Sequence, residues 1–422
     1  MSLYKTLTKG KQLRLSAFSI AILAMSVSQM ALAGFNDSIK NALKFGQADA
    51  KYGQIKFDTR LRYDYANTEE TVNKKTAEAF TARLRVGYLS PKFKGLQGYA
   101  EFEGNQDIGL NDYRNKRNDG WRKNGYDVIQ DPQDTELNQL WLSFDGIPDT
   151  NVKVGRQRIK IDNDRFIGNV GWRQMEQTFD SVLLTNKSLP NTTVKVGYID
   201  QVKNIISTTD EMTTPFLNIA YDFKGYGKLS AYGYWIDYDE LAKSANSSQT
   251  YGLRFNGGTE VTEDVKALYT AEYAHQSDYG DNTTGYDVDY FHFTGGISAF
   301  GVTAKGGVEQ LGGQNNKVFS TPLATGHAFQ GWADAFLVAQ PGSGIRDVYG
   351  SIATKIKGVK IMGIYHDFED DSGSIEHGNE YDFVVATKIA KHYSLLAKYA
   401  YYNADQFGND TQKIWIQGGI HF

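Results

Sequence analysis

The chain has no cysteine, so it can form neither disulfides nor thiolate metal sites. Its 7 prolines are few beside 43 glycines, and that imbalance, together with 27 tyrosines and 23 phenylalanines, favours many strands joined by tight turns. Beyond the first 33 residues there is no run of about 18 apolar residues, so no helix in the rest of the chain is long and apolar enough to cross a bilayer. Histidine is scarce as well: His275, His292, His327, His366, His377, His392 and His421 are scattered, without metal-ligand spacing, an HExxH helix or a GxSxG elbow. Lys305 is followed by Gly306, which breaks any phosphate-loop motif. These absences argue against an enzyme, and no cofactor or metal is expected.

The amino terminus carries Lys5, Lys9, Lys11 and Arg14 ahead of an uncharged run, Leu15 to Ala33, that ends in Ala-Leu-Ala. This is the pattern of a secretory signal peptide over 1–33, cut near Ala33, rather than of a membrane anchor, because no stop-transfer pattern follows. Without those four basic residues the chain keeps 41 basic against 49 acidic residues, a net charge of −8 and no nucleic-acid footprint. Residues 34–52 are expected to be a short periplasmic segment. In it "NDSIKNALKF" can make a helical turn or two, capped by Asn36 or Asp37.

From residue 53 the chain alternates. In "IKFDTRLRYDY" Ile55, Phe57, Leu61, Tyr63 and Tyr65 share one parity, and Lys56, Asp58, Arg60, Arg62 and Asp64 share the other. Eighteen segments follow this period of two more or less cleanly, from 55–65 and 80–88 through 151–161 to 393–403 and 412–422. Short links such as 91–95, 188–192, 224–227 and 357–358 alternate with long polar ones near 107–134, 162–178 and 312–343. An even-stranded meander with short turns on one side and long loops on the other predicts an all-β fold, a transmembrane antiparallel β-barrel of about 18 strands with periplasmic turns and extracellular loops. In lipid every backbone group must bond internally, so a spanning sheet has to close. A soluble sandwich or solenoid would need short even loops or a fixed repeat, and neither is present. The last strand, "KIWIQGGIHF", ends on Phe422, as outer-membrane barrels typically end.

The charged parity then faces a water-filled lumen, too wide at this strand number for side chains alone to fill. Folding the first hairpin near 72 places Arg62 opposite Arg83 and Arg60 opposite Arg85; folding the next near 93 sets Arg83 against Glu103 and Arg85 against Glu101. The result is either a ladder of lumen ion pairs or a stripe of arginines facing passing anions. In the fifth segment Arg156, Arg158 and Lys160 share a parity expected to point inward, which turns Val152 and Val154 inward too unless a bulge intervenes, and Gly155 fits a close approach or a bulge. The segment 162–178, with Arg165, Trp172, Arg173 and Gln174, is expected to fold in and narrow the pore. The stretch "PLATGHAFQGWADAFL", 322–337, looks more like a plug than a strand, and the acidic 367–380 is expected to be a solvated outer loop, not a calcium loop.

The stretches "DPQDTELNQLWLSFDG" (131–146), "VKVGRQRIKIDNDRFIGNVGWRQMEQTFDSV" (152–182) and "PLATGHAFQGWADAFL" (322–337), after the "FDTRLRYDY" first strand, resemble the alginate-export family of outer-membrane porins. The resemblance implies an 18-stranded barrel that passes an anionic sugar polymer or small hydrophilic solutes passively. Taken together, the expected pore-lining set is Arg60, Arg62, Arg83, Arg85, Glu101, Glu103, Arg156, Arg158, Arg165, Trp172, Arg173 and Gln174. The expected surroundings are membrane lipid and lipopolysaccharide in the outer membrane of a Gram-negative cell, with a monomer sufficient to enclose the pore. A plugged structural or adhesive barrel, and an outer-membrane hydrolase, stand as the alternatives.

Overall fold

The computed structural model describes residues 29–69, 74–115, 117, 123–338 and 340–422. Most of the expected leader, up to residue 28, lies outside the described residues. Eighteen strands form one antiparallel sheet in which each strand pairs with its neighbour in sequence. The first strand, Gln54–Thr68, pairs with the last, Thr411–His421, and closes the sheet into a barrel. Each of the segments read from the alternation contains a strand. Outward side chains such as Leu84, Leu142, Leu253, Ile297, Ile352 and Phe383 are exposed, which is the lipid-facing surface of a membrane barrel. Exposed tyrosines fall toward both ends of the outer face, Tyr88 and Tyr221 near the short turns and Tyr251, Tyr273, Tyr365 and Tyr381 near the loops. They make the two interfacial girdles. A detergent-extracted sample is expected to run faster on a gel unheated than boiled, because the closed ladder resists detergent; equal migration of both samples would count against the barrel.

The register of the first hairpins differs from the expected one by two residues. Arg60 faces Arg83 and Asp58 faces Arg85, while in the second hairpin Arg85 faces Glu103 and Arg83 faces Asn105. A shift of two keeps every charged side chain on the inner face, since the side-chain period is two. It also sets Asp58 against the arginines, which the expected register did not, and opposite charges across a ladder stabilise it.

The fifth strand is shorter than expected, Thr150–Gln157. Val152 and Val154 lie opposite Phe144 and Leu142 on the outward parity, and Arg156 shares it, opposite Leu140. The guanidinium is neutralised there by a two-pronged bond to the Asp180 carboxylate, at 2.8 and 2.7 Å. Gly155 has φ 114°, a conformation other residues rarely adopt, and a Cβ there would lie 2.3 Å from the Leu140 carbonyl oxygen. After Gln157 the chain leaves the sheet, so Arg158 and Lys160 belong to a loop and not to a strand face.

At the amino end a helix spans Gln29–Leu43. Asn36 and Asp37 are therefore inside a helix and do not cap one. In the acidic stretch only 370–375 is loop, where Asp370 accepts from the backbone N–H groups of Ser374 and Ile375 at 2.7 and 3.0 Å.

Candidate functional site

The lumen is occupied by two long loops, 158–177 and 312–344, each held by an opposite kind of wall. Arginines on the first two strands hold the first loop by its backbone. Arg60 donates to the carbonyls of Gly171, Trp172 and Arg173 at 2.9 to 3.0 Å. Arg62, fully buried, donates to the Trp172 carbonyl and to Gln417 Oε1, and its guanidinium lies 4.3 Å from the centre of the Trp172 ring. The loop answers with Glu176, which meets Arg85 at 3.5 Å and Arg158 at 2.5 Å. Burial would push the Glu176 carboxyl up, but these two guanidiniums outweigh it and hold it below the usual carboxylate range. Gln174 donates its side-chain amide to Thr81 Oγ1 at 2.7 Å. On the far wall Asp162 accepts from Asn218, Lys228 and Ser230.

Carboxylates hold the second loop. Glu380 and Asp382 accept the backbone N–H groups of Ala333 and Trp332, at 2.7 and 3.2 Å. Gly331 (φ 77°) makes this approach possible, because a Cβ there would lie 2.3 Å from the Glu380 carboxylate. Asp334, within the loop, meets His327 Nδ1 at 2.6 Å, Lys413 at 3.0 Å and Arg173 of the other loop at 3.1 Å. His327 Nε2 is 2.7 Å from Lys398 Nζ, and that ammonium sits 3.6, 4.4 and 5.4 Å from the ring centres of Trp332, Trp172 and Trp415. Burial lowers the His327 pKa to about 3 against the pull of Asp334, so the ring is neutral: Nδ1–H donates to Asp334, and Nε2 accepts from Lys398. Asp334 is held well below the usual range: burial would raise it, and His327, Lys413 and Arg173 prevail.

The two loops are joined to each other. Gly168 N–H donates to the Leu323 carbonyl at 2.9 Å and Thr325 N–H to the Asp164 carbonyl at 2.9 Å. Arg165 spans from Thr321 and Gln330 to the wall carboxylate of Glu309, 2.7 Å away, and Trp172 stacks on His327 at 4.6 Å and 7°. Ile159, Phe166, Ile167, Phe319, Leu323 and Phe336 from the loops pack against Tyr232, Tyr234, Tyr290, Phe368 and Tyr402 of the wall. The hydrophobic core of this barrel therefore lies inside its lumen.

The model of the family described as alginate export matches residues 57–309, more than half of the chain. The chain belongs to the alginate-export family. Among solved structures it is similar to OccAB4 of Acinetobacter baumannii (TM-score 0.68, 12% identity, covering 89% of this chain and 100% of that one). It is also similar to OccK9 (OpdG) of Pseudomonas aeruginosa, with TM-score 0.70, 12% identity, 88% of this chain and 98% of that one. A third is OpdK of the same organism, determined with vanillate: TM-score 0.67, 13% identity, 87% of this chain and 98% of that one. At these identities the likeness is one of fold, an outer-membrane porin-like barrel. No curated protein matches the chain.

Within this family member the expected pore-lining residues are brought together, apart from the outward Arg156, but they are occupied by one another. Arg83 bonds Asp58, Arg85 bonds Glu103, and Arg158 bonds Glu101 and Glu176. Arg165, Arg173 and Gln174 are buried in loop contacts, and Trp172 is covered by His327, Arg62 and Lys398. They form a docking frame for the loops. The free cations lie elsewhere. Lys56, Lys266, Lys305, Lys355, Lys360 and Lys388 are on the inward parity near the short-turn ends of their strands, and none has an ion pair or hydrogen bond among the described residues. Parity alone marks them inward, and they are dispersed along the chain where the arginines are clustered. A cavity of about 330 Å³ opens beside Lys56, beneath the first loop, bounded also by Tyr99, Glu101, Trp141, Arg158 and Phe422.

Proposed function

We propose that the protein is a passive diffusion channel of the outer membrane for hydrophilic anions, carboxylates on a sugar or aromatic ring being the class that fits best. The observation that carries this reading is the set of unpaired lysines around the periplasmic half of the lumen. Of the strand carboxylates at that end, Asp58 and Asp145 are taken up by Arg83 and Lys92, leaving Asp222 and Glu260. A confined wall of one sign concentrates counter-ions more than the net charge of the chain would suggest. The cavity at Lys56 and Arg158 has room for one ring-sized acid, and vanillate, present with OpdK, is an aromatic carboxylate. The barrel closes within one chain, so a monomer suffices, with lipid and lipopolysaccharide around it.

The test is the reversal potential across a planar bilayer under a salt gradient. The native channel is expected to prefer anions, less so as salt rises and screens the wall. Changing the six lysines to Gln is expected to shift the potential toward the cation side. A native channel that prefers cations, or a potential unmoved by the six changes, overturns the reading. A barrel that carries no current at all is the plugged alternative, which the packing of both loops into the lumen favours on its own.

A further inference from the structure

We propose that residues 34–53 form an interfacial anchor, laid along the outside of the barrel and seated in the phospholipid leaflet that faces the periplasm. Two bonds fix its path. Near its start, the buried Asn36 accepts from the Tyr393 hydroxyl at 2.8 Å, and at its end the Tyr52 carbonyl accepts from the Tyr88 hydroxyl at 2.9 Å. Tyr88 lies on the second strand, on the outward parity with Leu84 and Val86, and Tyr393 begins the seventeenth, out of phase with the inward Lys398 and Tyr402. Between those two strands lie only the last and the first. The segment therefore crosses the outer face of four strands at their short-turn ends.

Its exposed side chains suit lipid. Phe35, Phe45 and Tyr52 are 59%, 50% and 56% exposed, and Phe45 makes a ring contact with Tyr88 at 6.4 Å, so the aromatic surface continues the girdle of the barrel. On the helix, Phe35 and Ala42 fall on one edge, Ile39 and Leu43 turn toward the barrel with Asn36, and Asp37, Asn41 and Lys44 fall on the remaining side. A helix end with a barrel on one side, apolar residues on the next and charge on the third is placed for a membrane surface. Continuity with the lipid-facing girdle favours phospholipid over a protein partner as the occupant.

Because the chain has no cysteine, single labels are introduced cleanly. The full mature protein carrying Phe35→Cys, Ala42→Cys, Phe45→Cys or Asp37→Cys would be labelled with a nitroxide in vesicles of phosphatidylethanolamine and phosphatidylglycerol. Labels at 35, 42 and 45 are expected to meet oxygen several-fold more often, relative to a water-soluble nickel chelate, than the label at 37. Ala42→Cys removes no aromatic ring, so it reports even where the phenylalanine variants disturb the segment. Equal ratios at all four sites place the segment in water, and shielding from both reagents at 35, 42 and 45 means that protein covers it; either result overturns the proposal.

Discussion

Replacing residues 161–175 by a short Gly-Ser link is expected to raise single-channel conductance several-fold, and so is replacing 313–343. Each loop is held by the lumen wall, the first by Arg60 on the carbonyls of 171–173 and by Glu309 on Arg165, the second by Glu380 and Asp382 on the backbone N–H groups of Ala333 and Trp332. Because the loops grip each other through Arg165, Trp172 on His327 and Arg173 on Asp334, deleting one loosens the other, and the two deletions are expected to be non-additive. The milder variant Arg62→Met removes a buried charge and leaves the Asp131 carboxylate, 3.6 Å away, without it. Breaking a buried pair typically costs about 3–5 kcal/mol, so this change is expected to show as frequent steps to a higher conductance. Conductance unchanged in both deletions would place the loops outside the solute path.

Acid is expected to undock the second loop. His327 is neutral when buried, with its pKa pushed down to about 3, whereas a released loop would let it titrate near 6.5. Above pH 6.5 both states are neutral and pH has no effect. Below it the released loop binds the extra proton, so docking weakens by about 1.4 kcal/mol per pH unit until the pH nears 3. Asp334 works in the same direction, because a carboxylate held below its usual range loses its stabilising contribution as pH falls. The titratable groups facing the imidazole are Asp334, Lys398 and Arg173, and the last two oppose a proton on the ring. Conductance or its fluctuation is therefore expected to rise between pH 6.5 and 4, and His327→Gln is expected to flatten that part of the profile. A native channel insensitive to acid over this range would show that the latch does not control the loop.

The arginines show how far local pattern carries. Alternation put Arg60, Arg62, Arg83 and Arg85 on the lumen wall, and all four are there, because a strand's faces follow from a period of two that any window of residues reveals. Whether they meet solute or protein was not legible. Arg60 binds carbonyls 111 to 113 positions away, and Arg165 binds Gln330 165 positions away. Arg156 went to the other face because it shares the parity of Val152 and Val154, which face lipid, and because the Asp180 carboxylate neutralises it there. The six unpaired lysines lie one to a strand over six strands, so no short window of sequence gathers them.

By itself, the sequence determined the number of strands, their order and antiparallel pairing, the face that side chains take on most strands and the membrane as the surrounding medium. All of these depend on short-range periodicity, on turn length and on the need to pair every backbone group in lipid. Only the tertiary structure decided the two-residue register of the first hairpins, the contacts that seat both loops in the lumen, and which charges are spent on holding them. Those outcomes depend on partners far apart in the chain, which meet only after the barrel has closed, and on which oppositely charged groups closure happens to bring within reach.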